Sequence, residues 1–358
     1  MKSVVYYART DDGESAASVT EKLRGLIKKS AIFKPIGKED YAGVKLHFGE
    51  EGNTGHIRAG YVREVVRLLH ETATAHVFLT DSNVLYKGSR RTNAVDHLLI
   101  AREHGYDIAT MGAPVIIADG LHGRSYVEIP IRKKHFKKAK IAPEIAAADT
   151  LVVMTHATGH LLTGFAGALK NLGMGCASRK GKFEQHSGSV PEMREEYCIG
   201  CGMCVTHCPA SCIKLVAKKA RIQREKCIGC GECIVVCRTK ALETRWSERL
   251  ENLQEKMVEY AYGTVAALKK KPCYITFLLK VTKDCDCLAK DEPAIVPDTG
   301  ILASDDPVAI DKAAADLLNE RGRQDIFRKE FPGVDWTVQM RYAERIGLGN
   351  LDYKIVAV

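Results

Sequence analysis

The stretches CIGCGMCVTHCP at residues 198–209 and CIGCGECIVVCR at residues 227–238 decide how the chain is organised. Each contains four cysteines with the spacing C-x2-C-x2-C-x3-C, and the first run is followed by proline. Three closely spaced cysteines can bind three corners of one iron–sulfur cube, and the fourth cysteine of each run reaches the other cube. Glycines between the ligands let the backbone wrap closely around the sulfide ions. The pattern therefore predicts two [4Fe–4S] clusters within one small module.

The crossed arrangement assigns cysteines from both runs to each cluster. The predicted ligands are Cys198, Cys201, Cys204 and Cys237 for the first cluster, and Cys227, Cys230, Cys233 and Cys208 for the second. Zinc ribbons and disulfides are the alternatives, but a zinc ribbon contains two C-x-x-C pairs without a C-x-x-x-C tail. We expect residues 190–243 to form an inserted α+β domain like a bacterial two-cluster ferredoxin, with a hairpin between its two cysteine runs.

The sequence on both sides of this module alternates between apolar and amphipathic segments. Strands are predicted at residues 3–8, 43–48, 76–80, 114–118, 125–131, 151–155, 274–280 and 353–358, and helices at residues 15–29, 165–172, 248–268 and 336–346. Further helices are marked by Val62, Val65, Val66 and Leu69, by Val95, Leu98 and Leu99, and by Asp306-Pro307, whereas residues 173–189 are predicted to be a loop. The alternation predicts an α/β fold with a mostly parallel sheet and helices on both faces. Residues 1–189 and 244–358 should form one discontinuous domain, because the C-terminal piece has too few strands to close its own core.

Composition restricts the class of protein. The chain has 358 residues, of which 46% are hydrophobic and 27% charged, as in soluble globular proteins. It lacks an apolar run long enough to cross a bilayer, and residues 1–10 do not resemble a signal peptide. The 13 cysteines predict metal binding before disulfides, so we expect a reducing, anaerobic cytoplasm.

Charge and motifs argue against a nucleic-acid partner. The formal net charge of +9 counts every cysteine as neutral. Two oxidised clusters, each carrying about −2 with its thiolates, reduce the charge of the loaded protein to about +5. The chain also lacks a P-loop and a G-x-G-x-x-G motif, so no nucleotide site is predicted.

Polar residues follow several predicted strands. They are His47, Asp81, Asn83 and His156. Ligands gather at the carboxyl ends of parallel strands, so these residues are candidates for cofactor binding. Taken singly, a histidine or asparagine at a strand end more often caps a turn. Together they predict a polar rim around a pocket.

Glycines surround Lys170 in the stretch GHLLTGFAGALKNLGMG at residues 159–175. This density of glycine indicates a backbone that approaches a ligand closely. Lys170 could bind an anion, donate a proton or tether a cofactor, and the alternative is a helix lysine that extends into solvent. We take Lys170, His160 and His186 as candidate catalytic residues and expect an anionic small molecule near them.

Cys285 and Cys287 flank Asp286 on a loop after a predicted strand. Two thiolates this close can bind one soft metal ion, and Cys176 could supply a third ligand. The alternative is that these cysteines are small buried apolar residues. The loop therefore predicts a third metal or cluster site.

The whole chain resembles the family catalogued as domain of unknown function 362, in the form that carries an inserted two-cluster ferredoxin. The matching stretches are VKLHFGEEGN at 44–53, LTDSNVLYKGSRRTNAVDHL at 79–98, GFAGALKNLGMG at 164–175, CDC at 285–287 and DTGILASDDPVAIDKAAADLL at 298–318. The family name implies no activity.

The positions of His160, Lys170 and His186 are similar to those of three residues in the N-terminal domain of nickel-pincer lactate racemases. In those enzymes the lysine tethers a pyridinium cofactor and the last histidine binds nickel. Their DxTRP motif is matched only by HIRAG at 56–60, and DSNVLYKGSRR stands near the place of their GxHR motif. The resemblance therefore implies that the pocket lies at the same place in the fold. It does not extend to racemisation or to a nickel cofactor.

Three functions are compatible with these features. The first is an iron–sulfur oxidoreductase that passes electrons from a redox partner protein, either a ferredoxin or another oxidoreductase, to a small molecule in the α/β pocket. The second is a non-enzymatic electron carrier, and the third is a factor for metallocofactor maturation. Binding of a small molecule by the α/β part separates the first from the second.

Protein reconstituted without oxygen should carry about eight irons per chain. Substituting Cys208→Ser should damage the cluster bound by the second cysteine run, because the fourth cysteine of each run binds the other cluster. Iron analysis and the spectra of the reduced clusters measure this. Damage confined to the cluster of the first run would contradict the ligand assignment.

Overall fold

The computed structural model describes residues 2–74, 76–85, 89–186, 190–208, 210–227, 232–243 and 249–358. The strands are β1 (Ser3–Arg9), β2 (Ala42–Lys45), β3 (Val77–Asp81), β4 (Val115–Ile117), β5 (Val127–Pro130), β6 (Lys138–Ile141), β7 (Thr150–His156), β8 (Thr158–His160), β9 (Gly164–Ala166), β10 (Glu192–Met193), β11 (Ile213–Val216), β12 (Lys219–Ile222), β13 (Leu242–Glu243), β14 (Cys273–Leu278), β15 (Gly300–Ser304) and β16 (Tyr353–Ala357). The helices are α1 (Ala16–Ser30), α2 (Ala59–Thr72), α3 (Ala94–Glu103), α4 (Ile108–Met111), α5 (Pro143–Ala147), α6 (Ala168–Gly173), α7 (Arg179–His186), α8 (Met203–Thr206), α9 (Glu232–Val235), α10 (Leu250–Ala267), α11 (Pro307–Gly322), α12 (Ile326–Glu330) and α13 (Thr337–Arg345).

Eight strands form the central sheet in the order β16-β1-β15-β14-β7-β2-β3-β4. Neighbouring strands are parallel, except that β15 runs antiparallel to both β1 and β14. The predicted mostly parallel sheet is therefore confirmed. Four two-stranded ribbons, β5–β6, β8–β9, β10–β13 and β11–β12, lie outside it.

Helices cover both faces of the sheet. One apolar core contains residues of α6, α10, α11 and α13, and the other contains residues of α1 and α2. The residues 151–154 of β7 have no exposed surface and contribute side chains to both cores. A strand buried on both faces is a near-continuous apolar run, as in other parallel sheets covered by helices. The predicted α/β class with helices on both faces is thus confirmed.

Strand β15 is absent from the sequence prediction. Its residues GILAS are all buried between β1 and β14. A strand–helix alternation predicts only strands that run in one direction, so it leaves no place for a strand that returns antiparallel. The predicted start of the next helix is confirmed, because Asp306 accepts hydrogen bonds from Val308 N at 2.8 Å and Ala309 N at 3.0 Å.

The predicted helix at 165–172 begins later than expected. Residues 164–166 form β9, and α6 starts at Ala168. The buried carboxylate of Asp311 accepts hydrogen bonds from the backbone N–H groups of Ala168 and Leu169 at 2.6 and 2.9 Å. This long-range cap satisfies two free donors at the helix start, so its position depends on a residue far away in the chain.

The loop predicted at 173–189 is wrong in its second half, where α7 forms. The helix buries the polar residues Arg179, Lys182 and Gln185 together with Phe183. Because the buried face is mostly polar, the sequence lacks the apolar period that reveals a helix. Helix α3 shows the reverse, because its apolar residues Val95, Leu98 and Leu99 are 55%, 39% and 44% exposed.

The ends of the segment 190–243 lie side by side, because β10 pairs with β13. The predicted hairpin is confirmed by β11 and β12. A small apolar core around the cysteines also includes Leu85 and Phe183 from the α/β part. The module therefore packs against the body of the protein as well as joining it at two adjacent ends.

Within the described ranges, no helix combines the length and the apolar character that a membrane span requires.

Replacing residues 190–243 with a short flexible linker should leave a cooperatively folding α/β domain, since this segment contributes no strand to the central sheet. Exposure of Leu85 and Phe183 should lower its stability by up to about 1.5–3 kcal/mol per side chain. Thermal unfolding followed by circular dichroism measures this. Loss of all cooperative unfolding would show that the two parts fold interdependently.

Candidate functional site

A cleft of about 120 Å³ lies at the carboxyl ends of β2, β3, β7 and β14. The predicted residues that line it are His47, Asp81, His156, Lys170, Cys285 and Cys287. Other polar residues that line it are Lys45, Ser82, Arg91, Thr155, Thr158, Asn171, Lys182 and Asp286. The cleft thus gathers residues from the strand ends, from the start of α6, from α7 and from the loop after β14.

A buried ion pair forms the floor of the cleft. Lys45 Nζ lies 3.1 Å from Asp81 Oδ1, and both side chains are at most 3% exposed. Lys45 also donates to Asn171 Oδ1 at 2.6 Å. Arg91 Nη1 lies 3.7 Å from the other oxygen of Asp81, while Arg91 Nε lies 3.1 Å from Glu50 Oε2. Burial alone would raise the pKa of Asp81, but the nearby cations Lys45 and Arg91 lower it, so the carboxylate stays ionised.

Two lysines in the cleft have no carboxylate partner in the described ranges. Lys182 Nζ donates to Ser82 Oγ at 2.5 Å, Asn83 O at 2.8 Å and Ala177 O at 3.1 Å. The ammonium group of Lys170 makes no hydrogen bond or ion pair with any described residue, although the charge of Asp286 acts on it. Burial lowers the pKa of each lysine to about 8. Both can therefore gain or lose a proton near neutral pH.

His47 adds a second unsatisfied donor. Its Nδ1 accepts a hydrogen bond from Gly49 N at 3.0 Å, so the neutral ring carries its proton on Nε2. Burial, helped by the charges of Arg91 and Lys45, lowers the pKa of His47 and keeps the ring neutral. Its buried Nε2 has no hydrogen-bond partner among the described residues. A buried donor of this kind requires an acceptor, and the described residues do not supply one.

His156 is held as an imidazolium ion. Its Nδ1 lies 2.9 and 3.0 Å from the two carboxylate oxygens of Asp286, and its Nε2 lies 2.8 Å from Leu279 O. Both ring nitrogens face acceptors, so both must carry a proton. Burial opposes this charge, but Asp286 raises the pKa of His156. The His156–Asp286 ion pair neutralises the charge of Asp286 and orients the loop that contains Cys285 and Cys287.

Cys285 and Cys287 form a disulfide on the wall of the cleft. His160 is the third residue beside them, because its ring and the two sulfurs place their ligand atoms within 4.8 Å of one another. These three residues could hold a metal ion when the thiols are reduced. The predicted third ligand, Cys176, does not join this group; it is buried in an apolar core and points towards Asn171 O at 3.6 Å.

The remaining candidates lie around the cleft. His160 and His186 are close enough to Lys170 for its charge to lower their pKa values, with burial as the larger cause, and the pKa of His186 falls to about 4. Asn83 is buried behind the wall, where its side chain donates to Asp119 Oδ1 at 2.8 Å. It contributes to the cleft through its carbonyl group, which accepts from Lys182.

The cysteine module contains a second, smaller cavity. Four sulfurs predicted to bind one cluster line it, those of Cys198, Cys201, Cys204 and Cys237. Gly200 and Gly202 between them have φ of 69° and 75°, values that favour glycine. Of the other set, Cys208, Cys227 and Cys233 are described, and Cys230 lies outside the described residues. Cys212 joins them, since its sulfur is 3.4 Å from that of Cys208.

The module contacts the cleft through two neighbouring pairs of residues. Val84 and Lys182 line the cleft, whereas Leu85 and Phe183, the next residues along the chain, pack into the core that contains Cys204 and Cys233. The cleft and the cysteine core are thus lined by consecutive residues at each of these positions.

Sequence reasoning missed the three cations Lys45, Arg91 and Lys182. A lysine inside the apolar run AGVKLHF of a central strand was the available signal for Lys45, because a buried charge needs a partner. Arg91 sits in a short 3-10 turn, and Lys182 in the helix predicted as a loop, so neither had a strand end to mark it.

The family profile described as "Domain of unknown function (DUF362)" matches residues 43–316. The chain belongs to the DUF362 family. The predicted family is therefore confirmed, and its description states no activity. No protein of curated function matches the DUF362 chain at a significant level.

Two solved structures resemble the DUF362 chain. One is the lactate racemase apoprotein of Thermoanaerobacterium thermosaccharolyticum, with 12% identity and a TM-score of 0.37 over 76% of this chain and 50% of that one. The other is a Thermotoga maritima protein from a structural genomics consortium, with 11% identity and a TM-score of 0.39 over 91% of this chain and 59% of that one. The DUF362 chain thus spans 50% and 59% of the lengths of these two proteins.

Substituting Asp81→Asn should lower the free energy of unfolding by about 3–5 kcal/mol, because it leaves Lys45 buried without its counter-charge. Anaerobic urea denaturation measures the difference. Asp352→Asn is the control, since Asp352 forms an exposed pair with Lys2 and should be nearly neutral. Equal effects of both substitutions would show that the Lys45–Asp81 pair does not hold the cleft together.

Proposed function

We propose that the chain is an iron–sulfur redox protein that binds an anionic small molecule in the cleft and exchanges electrons with it through two [4Fe–4S] clusters. The observation that carries the proposal is the buried donor His47 Nε2, which has no acceptor in the described part of the chain and lines one cleft with the half-buried Lys170. Buried donors are nearly always satisfied, so the acceptor is expected to be a ligand.

The charges of the cleft indicate the class of ligand. Lys45 pairs with Asp81, Arg91 with Glu50 and His156 with Asp286. Among the described residues, Lys170 and Lys182 are then left without a carboxylate of their own. Two ammonium groups in a partly dry cleft favour a ligand with about two negative charges, such as a dicarboxylate or a phosphate ester.

The described residues of the module fit one of the two proposed clusters. Cys198, Cys201, Cys204 and Cys237 surround one cavity, and thiolates are the ligands that such clusters take. When bound, each cluster would supply or accept one electron at a time. The adjacent ends formed by β10 and β13 support the proposal that residues 190–243 are an inserted domain within an α/β domain of residues 1–189 and 244–358.

The position of the module supports electron exchange with the cleft. Leu85 and Phe183 belong to the cysteine core, and their neighbours Val84 and Lys182 line the cleft. This arrangement supports the proposal that a redox module lies beside the ligand cleft rather than on a remote surface. The chain's own groups would bind the anion through Lys170 and His47, with the positive charge of Lys182 nearby, and the low pKa of about 8 would let Lys170 return a proton to the ligand.

We further propose a redox partner protein with an acidic surface, in a reducing cytoplasm. Four exposed apolar residues, Tyr197, Ile199, Leu215 and Val216, lie on the module, and Ile199 and Leu215 border the first cysteine cavity. The hairpin that contains Leu215 also carries the exposed cations Lys214, Lys218 and Arg221. An apolar patch with a basic rim favours an acidic partner.

A second candidate function, metallocofactor maturation, is supported by the group of His160, Cys285 and Cys287. In this case the reduced pair and the histidine would hold a soft metal ion for transfer. Labile metal in addition to the iron of the two clusters, lost on Cys287→Ser, would favour maturation over the redox function.

Substituting Lys170→Met should weaken the binding of sulfate, a dianionic probe, by about thirtyfold, because one charged hydrogen bond of about 2 kcal/mol is lost. Anaerobic calorimetry of the loaded protein measures this, and both clusters should still assemble. The control is Lys180→Met, which removes a lysine of α7 that lies 5.4 Å from the Tyr126 ring and outside the cleft.

The same titration has an expected pH dependence. Lys170 and Lys182 are charged below their pKa of about 8 and neutral above it. Sulfate keeps its charge over this range, so its affinity should fall as the pH rises through about 8. Equal affinity of the wild-type and Lys170→Met proteins would place the anion elsewhere.

A further inference from the structure

The disulfide between Cys285 and Cys287 has little structural use. A single residue, Asp286, separates the two cysteines, whose Cα atoms are 5.2 Å apart. Closing so short a loop removes little conformational entropy from the unfolded chain, so the bridge stabilises the fold weakly. The described ranges contain no second disulfide. A bridge of this kind, placed on the wall of a ligand cleft, indicates chemistry rather than stability.

The surroundings of the pair are polar and include a lysine. Lys170 lines the same cleft and interacts with Asp286, the residue between the two cysteines. The negative charge of Asp286 is already held by the His156 imidazolium. A ring nitrogen of His160 lies within 4.8 Å of both sulfurs. The sulfurs therefore share the cleft with an ammonium group that would hold an anionic substrate.

The two cysteines differ in access. Both cysteines line the cleft. Cys285 is only 7% exposed, whereas Cys287 is half-buried and therefore more accessible. A reactive pair needs one accessible sulfur to attack the substrate and a protected one to resolve the mixed disulfide. Cys287 has the position of the first and Cys285 that of the second.

We propose that Cys285 and Cys287 form a redox-active pair that exchanges with an anionic low-molecular-weight disulfide bound in the cleft. In the reduced pair, the Cys287 thiolate attacks one sulfur of the substrate, whose S–S bond breaks and releases the first half as a thiolate. Cys285 then attacks the mixed disulfide, which restores the Cys285–Cys287 bond and releases the second half. Two electrons pass from the pair to the substrate, and the two thiol protons go to solvent or to the released thiolates.

A dithiol reductant resets the pair by the reverse exchange, so each cycle balances without any other oxidant or reductant. This inference depends on the anion-binding part of the proposed function and is independent of its iron–sulfur part. The substrate class follows from the two cysteines and from the lysines Lys170 and Lys182, which favour a negatively charged molecule.

The test uses the cluster-loaded protein, reduced with a phosphine that is then removed without oxygen. The probes are dithiobis(nitrobenzoate), a dianionic disulfide, and dithiodipyridine, a neutral one. Wild-type protein should react with the anionic probe in a fast phase that releases two thiolates per chain. Cys285→Ser should release one and leave a stable mixed disulfide on Cys287, detected by intact mass. Cys287→Ser should lack the fast phase.

Two further variants test whether the fast phase depends on this cysteine pair and on the charge of Lys170. Cys273→Ala is the matched control, because Cys273 is a buried thiol in β14 and its loss should leave the fast phase unchanged. Lys170→Met should slow the fast phase with the anionic probe by about tenfold and leave the neutral probe unaffected. This difference tests recognition of the charge separately from reactivity of the sulfurs.

A fast phase that persists in Cys287→Ser would overturn the proposal, as would equal rates for the two probes in the wild-type protein. Failure of the two clusters to assemble, with the fast phase intact, would contradict the iron–sulfur function and support the reactive pair. Absence of sulfate binding together with equal rates for both probes would contradict the anion cleft and this substrate class together.

Discussion

The ion pair between Lys45 and Asp81 determines how the cleft is built. The two residues lie at the ends of neighbouring parallel strands, and burying both charges is unfavourable unless each has several partners. Asn171 supplies one of these, since it accepts from Lys45 and donates to Met154 O and Thr155 Oγ1 of β7. The pair therefore ties β2, β3 and β7 to α6. Because Asn171 follows Lys170, the same contacts fix the position of the lysine that lines the cleft.

Most charged side chains of the cleft pair with one another, so the polar groups that remain without a partner need a separate explanation. Most cations of the cleft face a carboxylate at 2.9 to 3.1 Å, so a merely structural role accounts for them. His47 Nε2 differs because it is buried without a partner in the described part of the chain, and Lys170 differs because no described carboxylate pairs with it. Retaining such groups lowers stability, and sites that bind ligands are where that loss is compensated. A ligand that binds in the cleft would explain these two groups, whereas packing of the protein alone does not.

Much of this arrangement follows from the sequence, and the failures have physical causes. Strand ends in a parallel sheet converge, which is why the sequence alone could place His47, Asp81 and His156 together. It could not place Lys182 with them, because α7 buries polar side chains and has no apolar period. The β8–β9 ribbon returns His160 over the cysteine loop, and no local pattern reports such a contact between distant residues. Cys176 is also a cysteine, but it lies in an apolar core and not beside Cys285 and Cys287.

The pairing of β10 with β13 has a consequence for how the chain folds during synthesis. Strands β7 and β14 are neighbours in the sheet, yet the module and several helices are made between them. Closing a long loop costs entropy, and it slows the formation of contacts between distant residues. If residues 190–243 fold first and bring their own ends together, nearly half of that loop becomes a short connection. Early pairing of β10 with β13 would then shorten the search by which β14 finds β7, instead of obstructing it.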